Sequence, residues 1–272
     1  MIGALDIQPG EERMVGLLLL FSFCNGLART WTRSVAYGLF LAVFSAQMLP
    51  YVYIGVSLVA SLSSFAYLRI SQRAPLSRLL VGTLGAIILV FGVLRVGIGA
   101  GAGAWLIFTL PVFYEVLLVM TNLALWNTAG RLCNVQQGKR LFGLIGTGEP
   151  TAAVVGGFLT APIVALIGTS NLLLLAAGIV ALALLIAGSL IRTNARQLAH
   201  AIEQRASNAR TGPVAILNNR YVLLIFSLYI LAIISYFFID NIMPKRSFSI
   251  PMPISWPDSS AFFTRSLESS GR

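Results

Sequence analysis

The sequence predicts an all-α integral membrane protein, and three observations carry that expectation. Hydrophobic residues make up 57% of the 272 residues and charged ones only 10%, where soluble domains hold roughly 25% charged residues. Too few hydrated side chains remain to cover a globule, so lipid must solvate much of the chain. Seven segments stay apolar over the ~20 residues that a helix needs to cross about 30 Å of hydrocarbon. The arginines and lysines fall in alternate connections between those segments, the pattern that sets topology in membranes.

The first span is expected over 14–38. Its leader carries Asp6, Glu11 and Glu12, so it lacks the basic start of a secretory signal and reads as the approach to a permanent span. Further spans follow over 49–68, 79–99, 105–128, 141–167, 171–191 and 221–239. Each must be a helix, because lipid offers no partner to an unpaired backbone amide. Strands of a membrane barrel would be short and alternating, which these are not. Arg69, Arg73 and Arg78 lie between spans two and three, Arg131, Lys139 and Arg140 between four and five, and Arg192, Arg196, Arg205, Arg210 and Arg220 between six and seven. The opposite connections, 45–48, 99–104 and 168–170, carry no charge. The N-terminus and the basic loops are therefore expected on the cytoplasmic side of an inner (plasma) membrane.

Four regions result: a six-helix bundle over 1–192, an inter-bundle loop over 193–220, a seventh span over 221–240, and a tail over 241–272. Within the loop, 194–208 has the pattern of an amphipathic helix, with Leu198 and Ile202 on one face. The tail holds Pro244, Pro251, Pro253 and Pro257 among many serines, a composition that favours disorder. A seventh helix that emerges on the outer side with no helix after it implies a truncation or a shifted reading frame near Met243.

Several function classes find little material. The net charge of +10 is spread between apolar runs and forms no stripe for nucleic acid. Cys24 and Cys133 have neither disulfide nor zinc spacing. His200 is the only histidine, so no Ser-His-Asp triad and no His-rich metal site is available. The string GLIGTGEP puts Glu149 and Pro150 where a phosphate-binding loop needs Lys and Ser/Thr. Glu149-Pro150 reads as a helix start and Ala152 and Gly156 as sites of close helix packing. No enzyme activity, cofactor or metal is expected.

The remaining candidates are ionisable residues inside spans. Glu115 lies near the centre of the fourth span, where a carboxylate costs at least ~2.5 kcal/mol to insert and faces a cavity or a partner. Its role is either contact with a substrate or proton, or a structural ion pair. Arg29 and Arg33 sit four apart on one face of the first span, and Arg95 lies towards the outer end of the third. Guanidinium groups there suit an anionic substrate; snorkelling to headgroups is the alternative for Arg33 and Arg95.

Residues 105–157 resemble the nucleotide (ATP/ADP) transporter-like branch of the major facilitator superfamily. The likeness lies in Tyr114-Glu115, Leu125-Trp126 and the string QGKRLFGLIGTG from Gln137. Asn219-Arg220-Tyr221 with Asp240 beyond it, and Arg29 and Arg33 with LPYVYI from Leu49, extend the match. The resemblance implies a six-helix bundle plus a seventh helix of a 6+6 carrier that works by alternating access. It also implies that Arg33, Glu115 and Asp240 take the positions of the helix 1 base and the helix 4 and helix 7 acids needed for nucleotide exchange. Ser34 stands where that family often has Asp, and Asp240 where exchangers usually have Glu. The expected partners are the bilayer, an anionic solute such as a nucleotide, and a complementing helical subunit. A permease for another anion, or a membrane anchoring module without transport, are the rival readings.

Overall fold

The computed structural model of the chain describes residues 8, 10–101, 103–194 and, further on, 220, 223, 224, 226–232, 234, 235 and 238. It divides into two units, 1–210 and 211–272. The first is a helical bundle of α1 (Glu12–Val43), α2 (Leu49–Arg73), α3 (Leu76–Gly99), α4 (Ala104–Leu132), α5 (Val135–Gly146), α6 (Gly148–Ile167) and α7 (Thr169–Thr193). A short 3₁₀ turn, Ala46–Met48, joins α1 to α2. Six segments of this unit are long and apolar enough to cross a membrane, the fifth being α5 and α6 together from Gln136. This is the architecture of a multi-pass helical membrane bundle. In the second unit the described residues of the seventh predicted span are helical. Asp240, the 194–208 amphipathic segment beyond Asn194 and the 241–272 tail lie outside the described residues.

The helices outrun the apolar runs that predicted them. α1 extends five residues past Gly38, and α4 reaches Leu132, because turns of mixed composition still form backbone bonds once lipid holds the rest. The larger departure is the fifth span, which is two helices meeting at Thr147. Asn134 caps α5 by accepting from the Gln137 backbone N–H while the Gln137 side chain accepts from the Asn134 N–H, a reciprocal capping box. Asn-x-x-Gln is the sequence signature of that cap.

α1 is the hub, packed against α4, α5, α6 and α7. Its Leu18, Phe21, Ala28 and Val35 are wholly buried. Lipid tails are as apolar as leucine, so such burial gains packing rather than release from water. The tightest contact is with α6. A Cβ on Gly26 would lie 2.8 Å from the Glu149 carbonyl oxygen, and one on Gly148 would lie 2.8 Å from that of Leu19. Ala152 and Gly156 continue the same seam, as the sequence predicted, and the Trp31 indole N–H donates to the Gly156 carbonyl at 3.3 Å.

Contacts between helices fix their directions. Leu19, Gly26 and Thr30 meet Gly148, Ala152 and Gly156 in ascending order, so α1 and α6 are parallel. Tyr67 meets Asn127 and Ser71 meets Arg131, so α2 and α4 are parallel too. Tyr37 with Tyr114 and Phe44 with Phe108 run in opposite order, which makes α1 and α4 antiparallel. That is the zigzag of successive crossings.

Candidate functional site

The arginine-bearing end of the bundle is tied together by polar side chains. Glu11, just before α1, accepts from the Gln137 side chain at 2.7 Å and pairs with Arg140 at 3.3 Å. The Gln137 hydrogen bond, with the backbone N–H of Gln8 and the Arg140 charge, holds the Glu11 carboxyl below its ordinary pKa. Cys133, at the end of α4, has its thiol pushed up by burial and by the nearby Glu11 charge. Arg131 bonds Asn127 within α4 and donates to the Ser71 carbonyl of α2 at 3.1 Å.

The candidate site lies deeper. From the ends fastened by Glu11, Gln137 and Arg140, a rise of 1.5 Å per residue places Arg29 and Glu115 each about 25 Å along their helices, Arg33 about 31 Å and Glu149 about 21 Å. Arg29 and Glu115 thus share one level, with Glu149 about 4 Å nearer the fastened end and Arg33 about 6 Å farther from it. Arg29 on α1 forms an ion pair with Glu149 on α6. The sequence assigned Glu149 to the helix start; it does sit in the first turn of α6, and its carboxylate also neutralises Arg29. Arg33 lies over the Tyr37 ring, 5.8 Å from its centroid. Tyr37 meets Tyr114 of α4 edge to face at 5.9 Å, and Glu115 follows Tyr114 in a buried position, 5% exposed.

The belt also holds unspent hydrogen-bonding capacity. Among the described residues, both amide atoms of Asn25, the Ser22 hydroxyl and the Arg29 Nε are buried without a partner. Asn25, Arg29 and Arg33 are spaced four apart on one helix face. Each buried polar group left unpaired costs about 1–3 kcal/mol, an expense that a packed core avoids and a solute or water site accepts.

Of the sequence candidates, the bundle brings Arg29 and Glu115 to one level, on α1 and α4, with Arg33 one turn beyond them on α1 and exposed. Arg95 is elsewhere. Its guanidinium makes two hydrogen bonds to Asn171 Oδ1, at 3.2 and 2.7 Å, joining the end of α3 to the start of α7. Its side chain reaches towards Gly99 at the end of α3, away from Glu115. Asn25, Tyr37 and the Glu149 carboxylate join the site without having been predicted for it. The i, i+4, i+8 polar stripe on an apolar helix was the signal for Asn25, and an ionisable group within a span was the signal for Glu149.

No protein-family model matches the chain, and neither a curated protein nor a solved structure does.

Proposed function

We propose that the chain is a secondary carrier for an anionic solute, of the nucleotide-transporter-like major facilitator type. The supporting observation is a set of ionisable groups within the spans: the half-buried Arg29–Glu149 pair, the buried Glu115, and Arg33 over Tyr37 on the same face of α1 as the buried, unpartnered Asn25. Ionisable groups at such depth mark solute and ion pathways. Arg29 and Arg33 receive the anion as guanidinium donors. Glu149 holds Arg29 while no anion is present, and Glu115 restores neutrality as the solute arrives and leaves. By resemblance Asp240 supplies the matching acid of the seventh helix. The open faces of α2 and α6, with Ile54, Leu58 and Leu62 at 61–71% exposure and Phe158 at 81%, are where a second bundle or subunit packs, so that rocking of the two halves alternates access.

A thermal-shift titration of the detergent-purified chain with ATP, ADP, inorganic phosphate and a dicarboxylate tests the proposal. At least one of these anions should raise the melting temperature, and Arg33→Gln or Glu115→Gln should abolish the shift while leaving the unliganded protein monodisperse. If none of them shifts it, while the chain co-purifies with a stoichiometric membrane partner, the anchoring reading stands instead.

A further inference from the structure

A second feature lies away from the ion-paired belt. α2, α3 and α4 leave a groove of about 510 Å³ between them. Its walls are apolar, set by Ala66 and Ile70 of α2, Gly82 and Ala86 of α3, and Met120 of α4, with Arg78 at one end. It forms because α2 and α3 barely touch, and Ala66, Gly82 and Ala86 leave room between larger lining residues such as Ile70, Val90 and Phe113. A Cβ on Gly82 would meet nothing within 4 Å. Along α3 the groove runs from Arg78 to Val90, about 18 Å at 1.5 Å per residue. That is close to one leaflet, half of the ~30 Å hydrocarbon thickness.

We propose that this groove binds one anionic phospholipid of the leaflet on the arginine-bearing side. One acyl chain lies along Gly82 and Ala86, and the phosphate sits at Arg78. Three features favour a lipid over a helix or a free solute. Water-soluble anions gain nothing from a long apolar wall, and a helix, about 10 Å across with its side chains, does not fit a gap walled on three sides. The charge is confined to the end where headgroups lie. Arg78 is exposed, and among the described residues no carboxylate pairs with it, so its charge is available to a phosphodiester. Basic pockets between spans on that side recognise lipid headgroups by this chemistry. The groove is separate from the proposed solute site, so either proposal stands if the other falls.

Native mass spectrometry of the detergent-purified chain, incubated with dioleoyl phosphatidylglycerol or dioleoyl phosphatidylcholine, tests it. One phosphatidylglycerol should be retained per chain, about fivefold in excess of phosphatidylcholine, the preference that a single interfacial cation confers. Arg78→Gln should retain the two lipids equally. Gly82→Leu fills open space and should lose the adduct with its melting temperature little changed; Ala86→Leu fills the same groove by a second route and must give the same loss. Equal retention of the two lipids by the parent chain, or an adduct that survives both groove-filling variants, would overturn the proposal. So would displacement of the lipid by inorganic phosphate beyond that caused by sodium chloride at equal ionic strength, since a free anion would then suffice.

Discussion

At the residue scale, the Arg29–Glu149 pair decides most. Two opposite charges withdrawn from water stabilise a fold only while both are present, since loss of one leaves the other buried and uncompensated. Glu149 retains 27% exposure and Arg29 15%, so the loss should fall below that of a fully buried pair. We expect Glu149→Gln to cost roughly 2–4 kcal/mol in reversible mixed-micelle unfolding, and Arg29→Met with Glu149→Leu to recover most of it. If the single change is neutral, the pair is not formed. The sequence made Arg29 and Glu115 conspicuous because charge is rare in an apolar run. It did not disclose Arg29's partner, because helix 6 is 120 residues distant in the chain and only packing selects Glu149 over Glu115. Asn25 is inconspicuous for a related reason: it carries no charge, a single asparagine is averaged away in a window of apolar neighbours, and its significance comes from burial without a partner.

At the element scale, the helices were legible and their joints were not. Six spans follow from apolar length; the break at Thr147 is signalled only by the Glu149-Pro150 helix start inside the predicted fifth span, and beside it Gly148 approaches α1 closely along the α1–α6 seam. That seam makes a graded prediction within a single helix. Gly26→Ala drives a Cβ against the Glu149 backbone and should destabilise by about 1–3 kcal/mol. Gly38→Ala, whose Cβ would meet nothing within 4 Å, should be neutral or slightly stabilising; thermal melting of both variants provides the comparison. The strap from α1 to α5 predicts a pH effect of definite sign. Because the Glu11 pKa is lowered in the fold, its contribution is present above the ordinary carboxylate value and is lost as pH falls through the lowered one. Melting temperature should therefore drop as pH is taken from about 5 to 3, and Glu11→Gln should flatten that part of the curve. An unchanged slope would mean that the strap carries no stability.

At the scale of the whole molecule, the account rests on successive crossings that keep the arginine-bearing turns on one side. The helix directions agree with it: α1 with α6 and α2 with α4 run parallel, as odd and even crossings must, and Arg131 and Arg140 gather at the end that holds Glu11. Transport, the solute and the anionic lipid all presuppose that arrangement. Cysteine accessibility in intact cells measures it most directly. In a Cys24→Ala, Cys133→Ala background, Gln47→Cys, exposed in the turn between α1 and α2, and Gln136→Cys, exposed at the start of α5, lie at opposite ends of the bundle. A membrane-impermeant maleimide should label the first in intact cells and the second only after permeabilisation. Labelling of both from outside, or release of the chain into the aqueous phase by carbonate without detergent, would contradict the account.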